Sequence, residues 1–297
     1  MADTTTVPTV RTRAPLQVLT LPVEQVVRET PDTVSLVLAP PPAPPSYKAG
    51  QFCTVDVHQF PALGPVVAFL EQQKGRKEPA RSYSLASAPH ERALVLTVKA
   101  EAYDPACAFP PLLSPYLAHA VRPGDLLTVT GFQGPYVLPE DVEAKTDHVV
   151  HVVAGSGAVP NFAILKDALH RGLSLRHTFL CANRTWQDTC FREALDDLAR
   201  RHPGKLRVVH ALSREQDGSH FSADVRKGRI DEALLRELVP DLDTAWFYVC
   251  GPAITTWERR RALETDTQAT PRFFEAAIGY LHALGVSDKR IKREAYG

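Results

Sequence analysis

What the 297-residue chain lacks narrows its function before any motif is read. Its five cysteines, Cys53, Cys107, Cys181, Cys190 and Cys250, are an odd number at wide spacings, with no CxxC or CxxxxCxxC run. A disulfide framework, a built-in iron–sulfur cluster and a structural zinc site all need several thiolates close together, so none is expected. The eleven histidines show no HxxxH or HExxH spacing, and no GxSxG turn occurs. Metal sites and the serine-nucleophile elbow therefore lose their usual signatures, and no metal ligand is expected. No run of about 18 apolar residues could cross a bilayer. The start, with Thr4 to Thr6 and then Arg11 and Arg13, has no apolar core of a signal peptide, so a cytoplasmic location is the default expectation. Net charge is missing too: 34 basic residues stand against 34 acidic ones. The general electrostatic argument for nucleic acid or an anionic membrane as partner falls away with it.

What is present reads as two cores in series, since the length is large for a single hydrophobic interior. Residues 1–14 are polar, Thr-rich and aperiodic, and are expected to form a flexible tail. Residues 15–143 hold many short β-branched runs bounded by turn residues, which suggests an antiparallel barrel. Strands are expected at 16–28, 33–38, 52–57, 83–86, 94–99 and 126–129, and a short helix at 112–119. The proline cluster at 40–45 forces a loop, and 59–80, with Lys74, Arg76 and Lys77, looks like an insertion. From residue 144 to 297 strands alternate with helices, the rhythm of a parallel sheet covered on both faces. Strands are expected at 148–154, 174–182, 206–211 and 245–250, and helices at 161–170, 187–201, 230–238 and 272–284. A short strand ends at Tyr296.

A glycine-rich turn, Gly155-Ser156-Gly157-Ala158-Val159-Pro160, lies between a strand and a helix. Such a turn lets backbone N–H groups approach a pyrophosphate at the helix N-terminus, and Pro160 suits the first helical position. An ordinary strand-to-helix turn is the alternative. Sites preferring NAD place a carboxylate after the second strand of such a fold, whereas NADP sites place arginine there. Here Arg184 follows that strand and Ser213-Arg214 the next one. Two guanidinium groups could meet a 2′-phosphate, or could simply be solvated.

The run Arg81-Ser82-Tyr83-Ser84 resembles the RxYS motif of the plant-type ferredoxin–NADP reductase superfamily, particularly its oxygenase-reductase branch. Further likenesses follow in order along the chain: Ala49-Gly50-Gln51-Phe52, Val98-Lys99, Leu113-Ser114-Pro115-Tyr116, Gly131 to Tyr136, Val249-Cys250-Gly251-Pro252, Ser213-Arg214-Glu215-Gln216 and Glu294-Ala295-Tyr296. The resemblance implies an FAD-binding β-barrel followed by a Rossmann-like NAD(P) domain. It implies that Arg81 pairs with the flavin pyrophosphate, that Tyr83 stacks on the flavin, and that Ser84 faces N5. Val98, Lys99 and Ser114 would form the second flavin segment, although Pro111 replaces a glycine usual there. Gly155, Gly157, Pro160, Gly251 and Pro252 would cradle the nicotinamide nucleotide, with Arg184, Ser213 and Arg214 at its 2′-phosphate. Cys250 would lie beside the nicotinamide, while Glu294 and Tyr296 would govern access.

The function so implied is that of an FAD-dependent NAD(P)H oxidoreductase, a flavoprotein preferring NADPH. Lacking cluster cysteines and a fused ferredoxin domain, it would pass electrons to a separate ferredoxin or to an oxygenase iron–sulfur component. Two alternatives stay open: a reductase of small acceptors such as free flavin or ferric chelates, and a redox-silent nucleotide-binding regulatory subunit. The basic runs at 74–77, 259–261 and 289–293 would be either solvated faces or docking sites for an acidic ferredoxin.

Overall fold

The computed structural model describes residues 16–105, 107 and 109–296. The expected tail at 1–14 lies outside the described residues. Within them, the first half of the chain is one antiparallel sheet of six strands: β1 (Val18–Thr30), β2 (Thr33–Leu38), β3 (Phe52–Val55), β4 (Arg81–Ser84), β5 (Leu94–Lys99) and β6 (Leu126–Gln133). Their order is β4-β3-β6-β1-β2-β5, and a bridge between Leu85 and Leu96 joins the two ends. That bridge closes the sheet at one point. Alternation does the sorting: Val34, Leu36 and Leu38 of β2 and Leu94, Leu96 and Val98 of β5 all point into a shared core. The helix α2 (Leu113–His119) caps this core through Leu113, Leu117 and Ala118.

The insertion expected at 59–80 holds a helix, α1 (Gly64–Lys74). Pro61, Gly64 and Pro65 look like turn residues, yet proline is well suited to a first helical turn, where its missing donor has no partner to lose. Only Val67 and Leu70 of this helix are buried, so its apolar stripe is too narrow to show as a period.

The second half is a parallel sheet of β7 (His148–Ala154), β8 (Arg176–Asn183), β9 (Leu206–Leu212), β10 (Val225–Lys227), β11 (Trp246–Pro252) and β12 (Ile291–Tyr296), ordered β10-β9-β8-β7-β11-β12. Every residue of β7 is buried, as expected of a central strand covered on both faces. One face carries α3 (Ala158–His170) and α4 (Arg192–Arg201), the other α5 (Glu232–Leu238) and α7 (Phe273–Ala283). A further helix, α6 (Thr256–Glu264), follows β11. No helix among the described residues is long and apolar enough to cross a membrane.

Two expectations need correcting. Helix α3 begins at Ala158, so Pro160 is its third residue rather than its first, a position where the backbone donor is still unpaired. Helix α4 begins at Arg192 and not at 187, because Phe191 adopts a left-handed backbone (φ 56°) that breaks the helical run. Strand order reverses between β7 and β11, and the crevice beyond the carboxyl ends of those two strands is where open α/β sheets bind ligands.

Candidate active site

The parallel register sets Cys250 of β11 opposite Glu294 of β12, and Pro252 opposite Tyr296. Side chains two apart on β12 share a face, so Glu294 and Tyr296 both turn toward the barrel. There they meet Ser84, the last residue of β4, which is 5% exposed. The Tyr296 hydroxyl donates to Ser84 Oγ at 2.7 Å, and the Ser84 hydroxyl donates to Glu294 Oε1 at 2.8 Å. Cys250, fully buried, belongs to the core cluster against which Tyr296 packs. All four residues expected to be catalytic are therefore in one cluster, though 212 positions separate the outermost two.

The electrostatics follow from burial. Removal from water pushes the Glu294 carboxyl up to about 7, against the opposing pull of the Ser84 hydrogen bond. Burial, with the Glu294 charge beside it, pushes the Cys250 thiol well above its usual range, so it is a thiol rather than a thiolate. Glu294 keeps its proton in the fold up to about pH 7, whereas in the unfolded chain it loses it near 4.5. Its contribution to stability is thus fully present below about pH 4.5 and is lost as pH rises through about 7. Thermal melts on either side of that window are expected to show wild-type protein losing ground to Glu294→Gln as pH rises; parallel melting curves would contradict this.

The nucleotide turn lies at the carboxyl ends of β7 and β11. Gly155 adopts φ 53°, and a Cβ there would meet nothing within 4 Å, so the turn opens onto free space. Gly157 is the opposite case: its Cβ would lie 2.2 Å from the Cys250 carbonyl oxygen. The turn therefore packs directly on the backbone that carries Cys250, Gly251 and Pro252. At the ends of β8 and β9 the Ser213 N–H donates to Asn183 O and the Arg214 N–H to Arg184 O, at 3.0 and 2.7 Å. Arg184 and Arg214 are neighbours, both exposed, and no carboxylate engages either guanidinium among the described residues.

On the barrel, Arg81 and Tyr83 lie on one face of β4, Arg81 exposed and Tyr83 half-buried. Val98 is wholly inside the barrel core, leaving only its backbone to a ligand, and Lys99 is paired with Asp32 at 2.9 Å. Ser114 Oγ accepts from the Glu101 N–H at 3.3 Å, which ties α2 to the end of β5. These residues fit a flavin dinucleotide: an exposed guanidinium without a carboxylate partner among the described residues, an aromatic ring on the same strand face, and a hydroxyl at the mouth of the cleft. Gly155, with its open turn, fits a second dinucleotide.

Three residues beneath the site escaped the sequence reading: Tyr136, His151 and Asn161, which are hydrogen-bonded to one another inside the fold. The available signal was a single amide in the otherwise apolar run from Ala158 to Leu165.

Residues 152–256 match the family model of the oxidoreductase NAD-binding domain. The chain is 34% identical over 286 residues to the 3-ketosteroid-9-alpha-monooxygenase ferredoxin reductase component of Mycolicibacterium smegmatis, covering 94% of this chain and 65% of that one. Its fold is similar to the flavohem-like FAD/NAD-binding domain of nitric oxide dioxygenase from Vibrio cholerae O1 biovar El Tor, with TM-score 0.69, 25% identity, and 94% and 98% of the two chains covered. A ferredoxin NADP+ reductase from Neisseria gonorrhoeae with bound FAD and NADP shares the fold at TM-score 0.64 and 16% identity, over 95% and 99% of the chains. The chain spans about half the length of several curated relatives it matches. A barrel closed at Leu85, a parallel sheet that reverses order at β7, and a site between them give this chain the two-domain fold of ferredoxin–NADP reductase-like proteins.

Proposed function

We propose that this chain is an FAD-dependent reductase that oxidises NAD(P)H, with NADPH preferred, and delivers electrons to a separate ferredoxin or oxygenase iron–sulfur protein. The observation that carries this reading is the cluster of Ser84, Cys250, Glu294 and Tyr296. Residues 15–143 form the FAD domain in this account and residues 144–297 the NAD(P) domain. FAD, when bound, accepts a hydride and gives up electrons one at a time. Arg81 would hold its pyrophosphate, Tyr83 would lie along its ring, and Ser114 with the backbone of Val98 and Lys99 would complete the grip. The Gly155–Gly157 turn and the Gly251-Pro252 backbone receive the nicotinamide nucleotide.

Chemistry at the cleft falls to four side chains. Ser84, whose hydroxyl links Tyr296 to Glu294, would stand at the reacting edge of the ring. Glu294, with a proton affinity near neutrality, can accept or return a proton there. Tyr296, hydrogen-bonded to Ser84, would cover the reacting edge and would have to give way to the nicotinamide. Cys250, uncharged, offers a polarisable apolar surface. The name of the Mycolicibacterium relative, a ferredoxin reductase component, supports the acceptor class.

One observation favours a second reading, reduction of small acceptors. Each basic run is partly paired within the fold: Lys74 with Glu78, Arg259 with Glu275, Arg260 with Glu264, and Arg293 with Asp288. These pairs reduce the positive field left there to steer an acidic protein. Rapid ferricyanide reduction with no transfer to any ferredoxin would select this second reading.

The nucleotide preference is tested through Arg184 and Arg214. Replacing either with alanine is expected to weaken NADPH binding about tenfold, the worth of a charge-assisted hydrogen bond, and to leave NADH within about twofold. Equal effects on both nucleotides in a stopped-flow titration would remove the NADPH preference while leaving the reductase in place.

A further inference from the structure

Asn161 is fully buried at the start of α3, the one polar side chain among Ala158, Val159, Pro160, Asn161 and Phe162. Its amide is engaged on every side. Nδ2 donates to the Gly157 carbonyl at 3.2 Å and to the Tyr136 hydroxyl at 2.9 Å. Oδ1 faces His151 Nδ1 at 2.8 Å and the Tyr136 hydroxyl at 3.3 Å. An oxygen acceptor there requires His151 to carry its proton on Nδ1, which makes its Nε2 the acceptor for His177 Nδ1 at 3.1 Å. Desolvation holds both imidazoles neutral, His151 down at about 4 and His177 well below its usual range. The network is thus an uncharged relay with fixed tautomers rather than a switch.

Packing alone does not call for an amide at this position. Leucine has nearly the same shape and fits an apolar helix face, while a buried amide left without partners costs roughly 1–3 kcal/mol. The distinctive contact is with Gly157, whose position admits no side chain against the Cys250 backbone. Tyr136 lies on the connection between the two sheets, in the same buried cluster as Cys250. One amide therefore joins the nucleotide turn, the inter-sheet connection and the central strand of the parallel sheet.

We propose that Asn161 is a positioning residue for the nicotinamide nucleotide: by holding the Gly157 carbonyl and the Tyr136 hydroxyl together it fixes the turn that receives the pyrophosphate. The proposal rests on the reading of the chain as an NAD(P)H reductase. It acts on binding rather than on the hydride step, since Asn161 touches neither Ser84 nor Glu294. Its effect is therefore separable from that of the cleft residues.

The test uses FAD-loaded full chain carrying Asn161→Leu, with Asn161→Ala as a second variant in case the first does not fold. Calorimetric titration with NADP+ is expected to show the dissociation constant raised about tenfold, one buried hydrogen bond's worth. The limiting rate of flavin bleaching by NADPH stays within about twofold, and backbone hydrogen exchange quickens in residues 155–160 but not in the barrel. An unchanged constant in the Asn161 variants overturns the proposal, as does hydrogen exchange that quickens equally in the barrel and the parallel sheet, which would assign the effect to the core at large. Wild-type protein that binds no nicotinamide nucleotide defeats the parent reading and the proposal together, and that outcome is distinct from either of the others.

Discussion

Ser84→Ala is expected to slow flavin reduction by NAD(P)H about a hundredfold while leaving FAD content and nucleotide affinity nearly unchanged. The Ser84 hydroxyl is the hub of the cleft, accepting from Tyr296 and donating to Glu294 at 2.7 and 2.8 Å. Removing it leaves a buried carboxyl and a phenol each without that partner, and takes away the hydrogen bond closest to the reacting edge of the ring. Loss of one preorganised donor at a reacting centre typically lowers rates by roughly 10²–10³-fold. A serine hydroxyl shared between two neighbours belongs at the lower end. Because Arg81, Tyr83 and the nucleotide turn are untouched, the loss should fall on the limiting rate and not on dissociation constants. Ser84→Thr keeps the hydroxyl and should recover most of the rate. A limiting rate within about threefold of wild type for Ser84→Ala would show that the hydroxyl has no part in hydride transfer.

Gly157→Ala is expected to be the most damaging single change in the nucleotide turn. The added Cβ would lie 2.2 Å from Cys250 O, 2.5 Å from Cys250 C and 2.8 Å from the Gly251 Cα. All three are backbone atoms, so no side chain can rotate out of the way. Either β11 or the turn must shift, and both are held: β11 by pairing with β7 and β12, the turn by Asn161. Overpacking of this kind costs at least about 3 kcal/mol, and in a chain of this size that corresponds to a fall of roughly 6–12 °C in melting temperature. Gly155→Ala supplies the contrast, since its Cβ meets nothing and only the left-handed backbone (φ 53°) resists it, at about 1–2 kcal/mol. Nucleotide binding should be lost in Gly157→Ala and weakened in Gly155→Ala. The reverse ranking in a melting experiment would contradict the packing described for the turn.

Much of this molecule can be read from the chain, and the unreadable parts share a cause. Strands β2, β5 and β7 are legible to the residue because β-branched runs end abruptly at turn residues. Helices α1 and α6 are not: α1 opens with Gly64-Pro65, and α6 has no buried residue at all, so neither shows an apolar period. Strand β10 spans three residues and pairs only with β9, too short to stand out. The cleft residues were legible because each belongs to a short motif whose chemistry demands its residue types. The relay of Tyr136, Asn161, His151 and His177 was not, because its members are scattered over 41 positions of chain and meet only when the parallel sheet forms. The pairing of Arg259 with Glu275 and of Arg293 with Asp288 was out of reach for the same reason, since those carboxylates reach their arginines through the fold.

The central claim is that this chain binds FAD and that a nicotinamide nucleotide reduces it across the cleft of Ser84, Cys250, Glu294 and Tyr296. Anaerobic mixing of the FAD-loaded protein with one equivalent of NADPH tests it most directly. The account predicts that the visible flavin absorbance bleaches within a single turnover, faster or at lower nucleotide concentration than with NADH. Protein that takes up no FAD, or FAD-loaded protein whose absorbance neither nucleotide alters, would contradict it.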